Sequence, residues 1–252
     1  MIDLNELKAP VTEIYVDTVQ GEGQSIGKLC SFIRYTGCNR SCNFCDSRHT
    51  WKPGEIQTSK WSVRAQIDFL MQGQARRLII TGGEPLLHQD KPYFQELIKQ
   101  LSNKGWSFEI ETEGTNAPNA FLCNAVHVGL LQFNVSPKLK LAGMGDLSEE
   151  YARVLPTWKS ATSLSQFFLN RAIFKFVVNV EEDVQEAFAL LKKAIPNHNE
   201  DLVRNQIYLM PEGETREKQL EKLSIVLDLA IKYGVNFSPR LHVLRWDNKK
   251  AV

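Results

Sequence analysis

Three of the five cysteines fall within eight residues, as Cys38, Cys42 and Cys45 in the spacing C-x3-C-x2-C. Three thiolates this close can hold three corners of an iron–sulfur cube, and with no fourth cysteine nearby one iron stays open to another ligand. A structural zinc ion with His49 as fourth ligand is the competing reading, although zinc usually draws its ligands from two separated pairs. An electron-transfer ferredoxin needs four thiolates, and Cys30 and Cys123 stand alone, as core thiols do. Gly82-Gly83-Glu84-Pro85 follows a short apolar run. It has the look of a phosphate-type backbone loop, but no Lys-Ser/Thr follows, which excludes a P-loop. Upstream, Gln20-Gly21-Glu22-Gly23 offers an amide, a carboxylate and bare backbone. A glycine turn with a solvated Glu is its plain alternative. Arg34 sits inside a strand and needs a partner, because a buried unpaired charge is costly. A substrate carboxylate and a neighbouring Asp or Glu would each serve.

The elements that must position these groups alternate strand and helix. Residues 12–17 and 30–35 read as strands rich in β-branched and aromatic residues, joined through Gly21, Gly23 and Gly27. The cysteine loop follows the second directly. Ser62 is suited to cap a helix with Val63, Ile67, Leu70 and Met71 on one face, closed at Gly73. Residues 78–81 form the strand that runs into Gly82. Asp90 is the expected cap of a helix striped by Phe94, Leu97, Ile98 and Leu101 and stopped by Gly105. Strands follow at 107–111, 131–135, 174–179 and 206–210. A helix carrying Val184, Ala187, Phe188 and Leu191 ends at Pro196, and one striped by Leu220, Leu223, Leu227 and Ala230 ends at Gly234. Residues 237–246 make a final extended piece. The run 139–166 has no clear period, contains Gly143, Gly145 and Pro156, and reads as an insertion or cap with a short helix near 149–155. Strand then helix with short connections implies an α/β fold with a parallel sheet, here as one domain over 1–252. In such folds the loops after the strands' carboxyl ends build the site. That rule gathers the cysteine loop, 82–85, 111–115, 136–138 and 210–213 on one rim.

Composition narrows the class. At 252 residues and 43% hydrophobic, the chain can bury one sizeable core. A net charge of +1 leaves no electrostatic footprint for nucleic acid or an anionic membrane. No apolar run approaches the roughly 18 residues that span a bilayer. The first residues are acidic and lack the pattern of a signal peptide. An odd number of clustered cysteines argues against a disulfide framework, so a reduced, cytoplasmic protein is expected.

C-x3-C-x2-C after a strand, with Gly82-Gly83-Glu84-Pro85 ending the next one, resembles the radical S-adenosylmethionine (SAM) superfamily. Phe44 matches that family's aromatic position. Thr18–Gly23, Phe32–Cys38, Cys45-Asp46-Ser47, Thr81–Pro85, Glu111–Thr115, Ser136-Pro137-Lys138 and 241–252 are similar to the 7-carboxy-7-deazaguanine synthase family. The resemblance runs almost end to end. It implies a partial (β/α)6-type barrel whose Cys38, Cys42 and Cys45 hold a 4Fe–4S cluster that cleaves SAM to a 5′-deoxyadenosyl radical. It assigns SAM contacts to Phe44, Cys45, Asp46, Gly83, Glu84, Ser136, Pro137 and Lys138. Met210, Pro211 and Glu212 align with another such segment, where relatives can carry Gln for Met210, so backbone contacts are expected there. Ser47 would bind Mg²⁺, where relatives often have Thr. Val19, Gln20, Gly21, Glu22 and Thr81 would hold a pterin, Arg34 its carboxylate, and the α-carboxylate of Val252 would reach it too. His242 is a further candidate neighbour. The implied reaction converts 6-carboxy-5,6,7,8-tetrahydropterin to 7-carboxy-7-deazaguanine with loss of ammonia, towards queuosine. A flavodoxin or ferredoxin donor and a homodimer are implied with it. A glycyl-radical-enzyme activating protein shares the cysteine spacing, but would need neither the 20–23 loop nor the C-terminal match.

Overall fold

Leu78, Ile79 and Ile80 are all fully buried, as expected of a strand covered on both faces. In a computed structural model, which describes residues 2–160, 171–195 and 203–249, they form the middle of β4 (Arg77–Gly82). The other strands are β1 (Lys8–Val19), β2 (Leu29–Tyr35), β3 (Ser59–Ser62), β5 (Ser107–Thr112), β6 (Leu131–Val135), β7 (Ala172–Val178), β8 (Ile207–Pro211) and β9 (Asn236–Phe237). Among the described residues they make one sheet in the order β3-β1-β2-β4-β5-β6-β7-β8-β9. From β2 to β9 every pairing is parallel. β1 runs antiparallel to both β2 and β3.

The crossovers carry α1 (Val63–Leu70), α2 (Pro92–Ser102), α3 (Ala120–His127), α4 (Ser148–Ser160), α5 (Glu181–Ala194) and α6 (Arg216–Tyr233), and α7 (Leu241–Trp246) follows β9. Six parallel strands, β2 and β4 to β8, each joined to the next by a crossover, form the partial (β/α)6 barrel that the resemblance implies. One hydrophobic cluster joins Ile33, Leu78, Phe108, Phe133 and Phe176 of the sheet to Leu70, Leu97, Val126 and Leu191 of the helices. Each such side chain contributes about 1.5–3 kcal/mol on burial. No helix among the described residues is long and apolar enough to cross a membrane.

Ser62 caps α1 as expected, its side chain accepting from the Ala65 N–H at 3.1 Å. Asp90 does not cap α2. Lys91 takes that place and Pro92 opens the helix, where its fixed φ suits the first turn. Asp90 instead accepts from Asn119 Nδ2 at 2.7 Å. The unpredicted helix α3 begins at Asn119, whose side chain accepts from the Leu122 N–H. The C-terminal piece is not extended: β9 is two residues long and α7 follows it. On α6 the buried residues are Gln219, Val226, Leu229 and Ala230, while Leu220 and Leu227 are exposed. Gln219 sets that rotation, since its buried amide donates to Pro211 O and Gly213 O at 3.0 and 2.9 Å. Within 139–166, α4 runs well past 149–155, forms the β6–β7 crossover and packs on α5. Residues 161–166, Pro196 and Val252 lie outside the described residues.

Candidate active site

The carboxyl ends of β2, β4, β5, β6 and β8, with the loop after β1 and the helix α7, enclose a cavity of about 400 Å³. That is within the range of small-molecule sites. The cysteine loop forms one wall. Its thiols are free, with Cys42 buried and Cys38 and Cys45 half-buried. Gly37 N donates to Thr50 O at 2.8 Å and Asn43 N to Ala142 O at 3.0 Å, which pins the loop. Gly37 O in turn accepts from Glu84 N at 2.8 Å. A Cβ at Gly83 would stand 2.1 Å from Gly37 O. The glycine pair therefore serves close approach: it lets the end of β4 lie against the cysteine loop.

Burial pushes the Cys38 thiol up to about 12, and raises Cys42 against the pull of Lys138. Ligation must therefore displace protons. No three His, Cys, Asp or Glu side chains among the described residues converge as a set for a single metal ion. His49 is engaged elsewhere, 3.4 Å from Glu13 Oε1. Two of the three sulfurs accept N–H groups, Cys38 Sγ from Arg40 N at 3.4 Å and Cys45 Sγ from Trp51 Nε1 at 3.3 Å. Soft sulfurs on one loop, with donors behind them and a cavity in front, fit an iron–sulfur cluster with an open position better than a closed zinc site.

Charge on the facing wall is tightly paired. Glu22 is buried, pairs with Lys175 on β7 and accepts from Arg240 Nε at 2.8 Å. Burial opposes its ionisation, but Lys175, Arg240 and His242 hold its carboxyl well below the usual range. It is not a solvated turn residue. Arg240 also pairs with Asp46 and donates to Gly213 O at 2.8 Å. Burial raises Asp46, and Arg240 and Arg34 more than reverse it. The Gln20 amide is spent inward on Glu109 at 2.7 Å and Glu111 at 3.1 Å, so backbone is what this residue has left for the cavity. His242 lies over the same loop, where a Cβ at Gly21 would be 2.1 Å from its Nδ1.

Arg34 lines the cavity, donating from Nε to Glu13 at 2.7 Å and from Nη1 to Gly82 O at 3.3 Å. The neighbouring-acid partner is therefore real, and the guanidinium still faces inward. Ser47 is buried at the cavity wall and donates to Asp46 Oδ1 at 2.9 Å. Phe44, Thr81, Gly83, Ser136 and Lys138 share that cavity with Val19, and Met210, Pro211 and Glu212 border it as well. Lys138 Nζ donates to Ser136 Oγ at 3.1 Å, and Glu212 pairs with Lys222. Glu84 and Pro137 are buried behind the wall. Glu84 accepts from Leu86 N, Thr112 Oγ1 and Glu113 N at 2.8–2.9 Å. Burial, reinforced by Glu113, still pushes it up to about 7.

Sequence reasoning missed Lys175, Arg240 and Trp51, and reached Glu113 only as part of the rim segment 111–115. Lys175 left a signal, as a lone charge in the apolar run Ile173-Phe174-Lys175-Phe176. Glu113 ties the cysteine loop to α4, accepting from Arg40 Nε at 2.9 Å and Tyr151 OH at 3.0 Å. Burial opposes its ionisation, and Thr115, Arg40 and Asn39 together hold it below the usual value.

The radical SAM superfamily profile matches residues 32–223. The 7-carboxy-7-deazaguanine synthase of Pyrobaculum aerophilum is 31% identical, over 96% of this chain and 96% of that protein. The synthase of the same name from Hyperthermus butylicus is 32% identical, over 93% of this chain and 91% of its own. The crystal structure of QueE from Escherichia coli aligns with a TM-score of 0.65 at 25% identity, covering 95% of this chain and 96% of that one. The chain belongs to the radical SAM superfamily and, within it, to the 7-carboxy-7-deazaguanine synthase family.

Proposed function

We propose that this protein converts 6-carboxy-5,6,7,8-tetrahydropterin to 7-carboxy-7-deazaguanine with release of ammonia, in the biosynthesis of queuosine and related 7-deazapurines. The observation that carries the reading is the meeting of the cysteine loop, the Arg34 guanidinium and the Glu22 carboxylate around one cavity. Full-length similarity to proteins of that name supports it.

When bound, a 4Fe–4S cluster on Cys38, Cys42 and Cys45 together with SAM supplies a 5′-deoxyadenosyl radical. Mg²⁺ at Ser47 would add a hard cation beside the substrate's carboxylate. The chain's own residues bind, orient and shield. Arg34, steadied by Glu13 and Gly82 O, offers its remaining N–H groups to the carboxylate. Glu22 stays ionised through Lys175 and Arg240 and accepts from the donor edge of the pterin. Thr81 and the backbone of 19–21 complete that contact. The backbone at Gly83 and Glu84 would hold the amino group of SAM, Ser136 and Lys138 its ribose and carboxylate, and the segment from Met210 to Glu212 its adenine. Phe44, Cys45, Asp46 and Pro137 shape the same side. Electrons arrive from a flavodoxin or ferredoxin, and the enzyme works as a cytoplasmic homodimer.

Anaerobic reconstitution followed by incubation with the pterin, SAM, Mg²⁺ and a reductant tests this. The expected product is the 7-deazapurine acid, identified by mass and ultraviolet spectrum, with a slower rate when Mg²⁺ is withheld. SAM cleavage with no such acid would overturn the substrate assignment.

A further inference from the structure

Trp51 follows Cys45 by six residues, and the chain between them folds back on itself. Thr50 N and Thr50 Oγ1 donate to Ser47 O at 2.9 and 2.7 Å, and Trp51 N donates to Arg48 O at 3.0 Å. These bonds close a 3-10 turn over Arg48–Thr50. The Gly37 N–H to Thr50 O bond ties that turn to the start of the cysteine loop. The indole is returned to Cys45, and its Nε1–H donates to Sγ at 3.3 Å. An indole has a single donor and no acceptor, so the polar atom of this ring is committed to the sulfur. The donor to Cys38 Sγ is a backbone N–H, from Arg40, which the loop carries whatever its sequence. The donor to Cys45 is a side chain, so the sequence chooses it.

A hydrogen bond to a ligating thiolate draws electron density from the cluster and favours its more negative, reduced form. We propose that Trp51 is a positioning residue that acts through Cys45 Sγ to raise the reduction potential of the cluster. Trp51 and Cys45 both line the cavity. The inference rests on the cluster reading of the three cysteines, and is independent of which molecule the radical attacks.

The test compares wild-type protein with Trp51→Phe, both reconstituted anaerobically and matched for iron and sulfide, in redox titrations followed by the electron paramagnetic resonance of the reduced cluster. At a fixed solution potential the reduced-to-oxidised ratio is expected to fall about three- to tenfold in Trp51→Phe, a tenfold change corresponding to about 59 mV for one electron. An unchanged midpoint with a full cluster overturns the proposal. If Trp51→Phe fails to hold its cluster, wild-type protein labelled with indole-¹⁵N tryptophan decides. Trp51 is the tryptophan that hydrogen-bonds a loop cysteine among the described residues. Hyperfine coupling of ¹⁵N to the reduced cluster supports the bond, and its absence overturns it. A midpoint shift in a protein that makes no 7-deazapurine acid would leave this inference standing and remove the substrate assignment instead.

Discussion

Arg34 commits N–H groups to Glu13 and to Gly82 O and keeps others facing the cavity. Charge-assisted hydrogen bonds contribute about 1.5–3 kcal/mol. Arg34→Ala should therefore lower kcat/KM by about 10- to 150-fold with iron and sulfide content unchanged. Wild-type turnover in that variant would remove Arg34 from the substrate site. Glu84 makes a prediction in pH. Burial and Glu113 raise it from 4.5 to about 7, so the folded protein prefers it protonated. Its contribution to stability is fully present below about pH 4.5 and is lost as pH rises through about 7, a loss of about 3 kcal/mol. In urea titrations of the metal-free protein, Glu84→Gln should flatten that fall. A wild-type slope in the variant would place the titration elsewhere. Spacing made the cysteines legible in the sequence, and position inside a strand did so for Arg34. Lys175 stood out only as a charge in an apolar run, and its partner was not legible, nor was Arg240, because ion pairs to Glu22 spanning 153 and 218 residues leave no local pattern.

Gly83 shows at the scale of the element why β4 ends as it does. Alanine there would press its methyl against Gly37 O of the cysteine loop. Overpacking against backbone costs about 1–3 kcal/mol, so Gly83→Ala should lower the urea midpoint and reduce iron incorporation together. Full iron content in a destabilised variant would separate the contact from the site. The strands read well from sequence because buried parallel strands are short apolar runs, and the carboxyl-end rule gathered the correct loops. Helix faces read less well. The stripe through Leu220 and Leu227 looked apolar, yet the buried amide of Gln219 turns α6 so that Leu220 and Leu227 are exposed. The piece after β9 looked extended, but Pro239 precedes a short helix that lays Arg240 and His242 over the 20–23 loop.

Over the whole molecule, the run of short connections was enough to imply a parallel sheet, and apart from β3, which pairs with β1 at the far edge, the strands follow chain order from β2 to β9. The joining of its two ends was not legible. Arg240, beside α7, binds Glu22 from the β1–β2 loop and Asp46 from the cysteine loop. Breaking a buried pair costs about 3–5 kcal/mol. Because the Asp46 side chain is 41% exposed, Arg240→Ala should cost less, about 2–4 kcal/mol in urea unfolding. A loss under about 0.5 kcal/mol would show the tie to be a surface pair. The same tie sets an order in time. Neighbouring strand–helix units meet early because their contacts are local, whereas pairs 194 and 218 residues apart must wait for distant segments to find each other. The cysteine loop is thus among the last parts of the molecule to be sheltered while the chain folds. Thiol alkylation during refolding should stay fast at Cys38 and Cys45 after Cys30 and Cys123 have become protected, and the delay should lengthen in Arg240→Ala.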